Sequence, residues 1–109
     1  MSNLGGFIVS KNILSGVPVG YVFREKSKIS ELNGWNFYSE IDDQTYIERS
    51  ENFAILSMES VNKFAPYMVE IFEAPYGTDL ELLYEKDVFV GFYDLVKDRE
   101  VEIEEIIKE

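Results

Sequence analysis

The apolar residues of this chain fall in short runs, and this pattern limits what the chain can fold into. Runs such as residues 7–9 and 88–90 fall far short of the roughly 20 apolar residues that a membrane-spanning helix needs. Elsewhere apolar and polar residues alternate, which is typical of half-buried β-strands. At 109 residues, the chain has the length of one domain with one core. We therefore expect residues 1–109 to form a single domain, built largely from short strands.

The strands can be placed from the spacing of the apolar residues and from the turn residues between them. We predict strands at residues 7–10, 18–25, 35–39, 53–58, 79–85 and 88–93. In the second of these, Val19, Tyr21 and Phe23 should share one side, and residues 26–34 should form a loop after it. The last two strands should form a hairpin in which Gly91 provides a bulge.

Short helices are expected in the middle of the chain, between the strands. Asp42 or Asp43 can cap a helix whose first turn is acidic. A second helix should begin at Ser57 or Ser60, and residues 66–72 should form a third, opened by a proline.

The tail, residues 98–109, fits two patterns. Ile103 and Ile106 have helical spacing, whereas Val101 and Ile103 fit the alternation of a strand. The many glutamates, with Asp98 as a cap, favour a helix. Taken with the strands, this predicts an α+β domain: a mainly antiparallel sheet with short helices inserted in mid-chain and a C-terminal helix.

The chain contains neither cysteine nor histidine, which removes most catalytic and metal-binding chemistry. Without thiolates there can be no disulfide, thiol nucleophile or zinc ribbon. Without imidazole the usual general base and the usual transition-metal ligand are missing. The glycine-rich patterns that cradle phosphate are also absent from the sequence. We therefore expect no catalytic residues, no cofactor and no bound metal.

Acidic residues give the chain a formal net charge of −11. This charge disfavours nucleic acid and anionic membranes as partners, and it suits a cationic protein, whose approach it would accelerate. The acidity is concentrated in two segments: residues 40–59 hold one basic and six acidic residues, and residues 79–109 hold four basic and eleven acidic residues. Residues 1–6 do not resemble a secretory signal, so we expect a cytoplasmic protein.

The first acidic segment lies among aromatic residues, and we predict that it forms a partner-binding surface. The candidate residues are Tyr38, Glu40, Asp42, Asp43, Tyr46 and Glu48. Tyrosine is enriched among the residues that dominate binding energy in protein interfaces, whereas Trp35 and Phe37 are expected to pack in the core. The same carboxylates are the only acid–base groups available, so an enzyme in which they converge near Trp35 is an alternative.

Many of these positions resemble the immunity-protein-thirty-three-like domain family, which is linked to bacterial polymorphic toxin systems. The resemblance covers residues 6–85 and leaves residues 94–109 as a C-terminal extension. The positions that carry it are, in order, Val9-Ser10-Lys11, Gly20-Tyr21-Val22-Phe23-Arg24-Glu25, Gly34-Trp35, Phe37, Tyr38, Glu40, Asp42-Asp43, Tyr46, Asn52-Phe53, Ile55, Leu56, Ala65-Pro66 and Pro75-x-Gly77-Thr78.

The resemblance implies a bacterial immunity protein, or antitoxin, that binds and neutralises a cognate toxin protein. It also implies that part of the motif is structural. These residues are Gly34, Trp35, Phe37, Pro75 and Gly77. A housekeeping protein-interaction domain without a toxin partner is the other alternative.

Overall fold

A single mixed sheet organises the fold, and the computed structural model describes residues 5–107 of the chain. The strands are β1 (Gly6–Ser10), β2 (Val19–Arg24), β3 (Leu32–Ser39), β4 (Phe53–Leu56), β5 (Asp79–Glu85), β6 (Val88–Asp94) and β7 (Arg99–Val101). Within the described residues they form one seven-stranded sheet in the order β4-β1-β3-β2-β5-β6-β7. Neighbouring strands are antiparallel, apart from the parallel pair of β1 and β3. The prediction of an α+β fold on a mainly antiparallel sheet is confirmed.

The helices are short and lie in the segments that follow or connect the strands. They are α1 (Lys11–Leu14), α2 (Gln44–Ile47), α3 (Met58–Val61), α4 (Met68–Ile71) and α5 (Ile103–Ile107), with a 3-10 turn at Ser50–Asn52. Asp43 caps α2 and Ser57 caps α3 through their side-chain oxygens, as two of the predicted caps require. Among residues 5–107 no helix is long and apolar enough to cross a membrane.

The helices cover one face of the sheet and leave the other open. We call the first the covered face: it is formed by buried strand residues, and α3, α4 and α5 close it with Val61, Met68, Ile71 and Ile106. The strand residues of the covered face are Phe7, Val9, Val22, Trp35, Phe37, Leu80, Leu82, Phe92 and Val101. The residues between them along the strands form the open face. These are Ile8, Tyr21, Phe23, Asn36, Tyr38, Phe53, Ile55, Glu81 and Tyr93, and all of them are exposed or only partly buried.

Strand β2 differs from its prediction because its register shifts between Val19 and Tyr21. Val19 turns into the core, with 5% of its surface exposed, so the prediction that it shares a side with Tyr21 is wrong. The shift occurs at Gly20, where a Cβ would lie 3.0 Å from the backbone of Glu40. Strand β3 also begins at Leu32, inside the segment predicted as a loop.

The tail contains both of the structures that its sequence pattern allowed. Asp98 has a positive φ of 59° in the turn after β6, so the prediction that it caps a helix is wrong. Val101 instead pairs with Phe92 in the sheet, and the helix begins only at Ile103. Residues 108–109 of the predicted helix lie outside the described residues. Strand β7 therefore extends the same sheet beyond the segment that carries the family resemblance.

Candidate functional site

The motif residues on the covered side gather around the guanidinium of Arg24. Its Nε donates to the carbonyl of Asn33 at 3.0 Å, and its Nη1 donates to the carbonyls of Phe72 and Ala74, each at 2.9 Å. Neither of the two ion pairs found among residues 5–107 involves Arg24. Arg24 thus binds backbone carbonyls of two separate segments and ties the loop after α4 to the sheet.

Aromatic rings enclose the same guanidinium. The Arg24 Cζ lies 5.8 Å from the ring centroid of Trp35, 5.2 Å from that of Phe72 and 4.8 Å from that of Tyr76. The indole nitrogen of Trp35 also donates to the Phe72 carbonyl at 3.1 Å. A cation held over aromatic faces in this way is stabilised by their quadrupoles. We call Arg24 with these contacts the arginine centre.

The motif glycines and the motif proline complete the arginine centre. Gly34 has a φ of 93°, and a Cβ there would lie 2.4 Å from the carbonyl oxygen of Glu25. The amide of Gly77 donates to the Arg24 carbonyl at 2.7 Å, and the Pro75 carbonyl accepts from the Thr78 hydroxyl at 2.7 Å. These contacts hold the fold together around Arg24.

Two carboxylates of the predicted partner-binding surface are engaged within the chain. Asp42 accepts from the Ser39 amide at 2.8 Å, from the Ser39 hydroxyl at 2.6 Å and from the Asn12 amide group at 2.8 Å. Partial burial acts to raise the pKa of Asp42, but the hydrogen bonds from Ser39 and Asn12 outweigh it and hold that pKa below its usual range. Asp43 accepts from the Tyr46 amide at 2.9 Å as the cap of α2.

Of the other residues of that surface, Tyr46 is hydrogen-bonded within the chain, whereas Glu48 and Glu40 are exposed. The Tyr46 hydroxyl donates to the Asn52 carbonyl at 3.3 Å, and the Asn52 side chain donates back to the Tyr46 carbonyl at 2.8 Å. Glu48 is exposed and accepts from Gln44 one helical turn away. Glu40 is exposed as well, but it lies near the end of β2 and adds to the rise that burial causes in the pKa of Tyr84.

Tyr38 lies on the open face between two aromatic rings. Its ring packs edge-on against Phe23, with centroids 5.1 Å apart, and tilted against Phe53 at 5.6 Å. Burial raises the pKa of its hydroxyl, and the charges of Glu25 and Asp42 raise it further. Within residues 5–107 the hydroxyl makes no hydrogen bond, so it can serve a partner.

A groove of about 410 Å³ runs along Tyr38 on the open face. Its floor and walls are mainly apolar: Ile8, Ile29, Leu32, Asn36, Tyr38, Ile47, Glu48, Ser50, Phe53 and Ile55 line it. Ile55 is 67% exposed and Ile29 is 56% exposed, which is unusual for large aliphatic side chains that lie together. Contiguous exposed apolar surface with a polar rim is typical of protein-binding sites.

The structure therefore brings Tyr38 and Glu48 to one groove and assigns Asp42, Asp43 and Tyr46 to internal hydrogen bonds. The enzyme alternative required Glu40 with Asp42 or Asp43 to converge near Trp35. Trp35 is fully buried on the covered face, and Asp42 and Asp43 accept hydrogen bonds within the chain, so no contact among the described residues favours this alternative. Sequence reasoning missed Ile55, since a short apolar run suggests a buried strand. Its place on an edge strand, paired with Ile8 on the open face, decides its exposure.

Comparison with known proteins gives one family. A family model described as the Immunity protein Imm33 domain matches residues 7–92. No curated protein and no solved structure matches the chain. The match extends from β1 into β6, and it includes both the arginine centre and the groove.

Proposed function

The chain belongs to the Imm33 immunity protein family, and on that premise we propose that it is an antitoxin that binds and neutralises a cognate toxin protein in the bacterial cytoplasm. The observation that carries the proposal is the open groove: large exposed aliphatic side chains lie beside a tyrosine whose hydroxyl has no partner among the described residues. Binding also agrees with the state of the carboxylates, because Asp42 and Asp43 stabilise the chain itself. Such groups are poorly placed to act as acids or bases on a substrate.

In this proposal the groove receives an apolar anchor of the toxin. Ile55 and Ile8 supply the apolar contact, and the Tyr38 hydroxyl and the Glu48 carboxylate supply polar contacts at the rim. Large, well-desolvated anchors of this kind carry most of the binding energy in protein interfaces. Asp42, Asp43 and Tyr46 contribute indirectly, because they fix the segment that carries Glu48.

The gene neighbourhood and co-expression test the proposal. An immunity gene is expected to lie immediately downstream of a gene for a large protein with a C-terminal toxin domain, and that upstream toxin domain is the one to co-express. We expect the wild-type chain to restore growth and to co-purify with that domain. An absence of both effects would overturn the antitoxin function, and an isolated or metabolic gene neighbourhood would favour the housekeeping interaction domain.

A matched pair of variants tests the groove. Ile55→Lys places a charge in the groove, and Val69→Lys places the same charge on the outer surface of α4, where the side chain is 60% exposed against 67% for Ile55. We expect Ile55→Lys to weaken toxin binding by roughly tenfold or more and Val69→Lys to leave it unchanged. Equal protection by both folded variants would remove the groove from the interface.

A further inference from the structure

Five side chains form a row across the open face, one from each of five adjacent strands. In register, Tyr38 on β3 pairs with Tyr21 on β2, Tyr21 pairs with Glu81 on β5, Glu81 pairs with Tyr93 on β6, and Tyr93 pairs with Glu100 on β7. We call these residues the tyrosine–carboxylate row. Adjacent strands are about 4.8 Å apart, so the four steps span about 19 Å.

The row is accessible from the open face: Tyr21 and Glu100 are exposed, and Tyr38, Glu81 and Tyr93 are partly buried. Its neighbours along the strands, such as Val22, Leu82 and Phe92, point into the core, so the side chains of the row point away from it. Tyr21 is 37% exposed, and its hydroxyl makes no hydrogen bond within the described part of the chain. Tyr38 belongs to both the row and the groove, so the two form one continuous surface.

The charged side chains of the row are all negative. Glu81 and Glu100 are its ionisable acids, and Asp98 lies beside them as the acceptor of the Tyr93 hydroxyl. That hydrogen bond raises the pKa of Tyr93, burial adds to the rise, and the charges of Asp98, Glu81 and Glu100 raise it further. The nearby Arg99 is paired with Glu105 at 2.9 Å, so it does not neutralise the row.

We propose that the tyrosine–carboxylate row binds an extended, arginine-bearing segment of the toxin. This inference rests on the proposed function and adds the chemistry of the partner. A guanidinium group can stack on a tyrosine ring while it donates two hydrogen bonds to a carboxylate. In the row, Glu81 lies between Tyr21 and Tyr93, and Glu100 lies on the other side of Tyr93. A segment of about six residues in extended form covers the 19 Å of the row, and the negative charge of the row excludes phosphate backbones.

Charge reversal in the row, against a matched reversal elsewhere, tests this inference. Glu81→Lys with Glu100→Lys alters the row, and Glu59→Lys with Glu70→Lys makes the same change of net charge on exposed positions of α3 and α4. Binding of the upstream toxin domain is measured at low and high salt, after unfolding curves have shown that both double variants are folded. We expect the row variant to bind about tenfold more weakly than the control variant, with a shallower dependence on salt.

If both double variants lose the same affinity for the toxin domain, binding depends on the overall negative charge and not on the row, and the inference is overturned. No loss in either variant would also overturn it, while leaving the antitoxin function intact as long as the wild-type chain still protects the cell.

A second experiment tests the inference even if the wild-type chain does not bind that toxin domain. Octa-arginine and octa-lysine peptides are added to the wild-type chain, and the NMR signals of the tyrosine rings are followed. The inference predicts that Tyr21, Tyr38 and Tyr93 shift together and that octa-arginine binds several-fold more tightly, because arginine stacks on aromatic rings better than lysine. Shifts spread over the whole surface, or equal affinity for the two peptides, would overturn it.

Discussion

The covered and open faces of strand β3 carry neighbouring residues with opposite roles. Trp35 and Phe37 are fully buried, and they pack against the helices and the arginine centre. Asn36 lies between them in sequence and Tyr38 follows Phe37, and both line the groove. The motif that supports the family resemblance has residues on both faces: Val22, Trp35 and Phe37 are buried on the covered face, whereas Tyr38, Phe53 and Ile55 line the groove. The comparison teaches that adjacent residues of one strand can serve different purposes: those on the covered face build the core, and those on the open face form the surface that we propose binds the partner.

Substitution of the adjacent residues Phe37 and Tyr38 on β3 should give the largest difference between an effect on stability and an effect on toxin binding. Phe37→Ala should lower the free energy of unfolding by about 4 kcal/mol, because it opens a cavity in the core. Tyr38→Ala should lower it by only about 1 kcal/mol, because the ring is only partly buried. Denaturant unfolding measures the first effect, and titration with the upstream toxin domain measures affinity.

We expect the toxin affinity of folded Phe37→Ala to equal that of wild type, while Tyr38→Ala binds more weakly. The comparison of the two faces breaks down if the affinities change in the opposite order.

Two glycines with positive φ test the arginine centre. Gly34→Ala should lower the free energy of unfolding by about 3 kcal/mol, because the new Cβ collides with the Glu25 carbonyl and the left-handed conformation is strained for alanine. Gly77→Ala is the matched control: its φ is 100°, but a Cβ there has no atom within 4 Å, so only about 1 kcal/mol of strain remains. Thermal and denaturant unfolding of both variants measure the difference. Equal costs would show that the close approach at Gly34 does not constrain the fold.

Asp42 should stabilise the protein in a pH-dependent way. Because its pKa is lower in the folded chain than in the unfolded chain, its stabilising contribution is fully present above the unfolded pKa and is lost as the pH falls through the folded pKa. Asp42→Ala should therefore cost about 2 kcal/mol at pH 7, and the difference from wild type should shrink as the pH falls below the ordinary range for an aspartate.

Denaturant unfolding at a series of pH values between 7 and 2.5 measures that difference. Asp43→Asn is the control, since asparagine caps a helix as well as aspartate does. A difference between wild type and Asp42→Ala that stays constant with pH would mean that the carboxylate charge is not what Ser39 and Asn12 bind.

The exposed ion pair of Arg49 and Glu51 should have the smallest effect. Its nitrogen and oxygen are 3.4 Å apart, and about two-thirds of each side chain is exposed, 66% and 68%. Arg49→Ala should change the free energy of unfolding by less than about 0.5 kcal/mol, and high salt should not alter that result. A larger loss, measured by denaturant unfolding, would mean that charges beside the groove also stabilise the fold, and the contrast between the faces would be weaker.

Local patterns in the sequence were sufficient to predict the positions of most strands and the N-caps of two helices. Regular alternation along β3 correctly predicted that Phe37 packs in the core and that Tyr38 lies on the opposite side of the strand. The same reasoning failed for Val19, because the bulge at Gly20 depends on the approach of Glu40, which the sequence around Gly20 does not reveal.

The candidate site was harder to predict because its residues meet only through the sheet order. Asp42 looked available for a partner, yet its partner Asn12 lies 30 residues away in the chain. Ile55 was predicted only as part of a strand, and the position of β4 at the edge of the sheet exposes it. Tyr38 and Glu48 were placed on one surface from sequence, because a single turn and a short helix separate them.

The position of β1 between β3 and β4 has a consequence for synthesis. β1 is the first strand to leave the ribosome, but both of its neighbours are made later, and the second is complete only at Leu56. Ile8 meets Asn36 on one side and Ile55 on the other, so the groove does not exist until β1 has been inserted between them. Such long-range pairing is slow compared with the closing of a hairpin such as β5–β6. A nascent chain therefore cannot form the binding groove before Leu56 has been made, and no N-terminal fragment that ends before β4 can carry the groove.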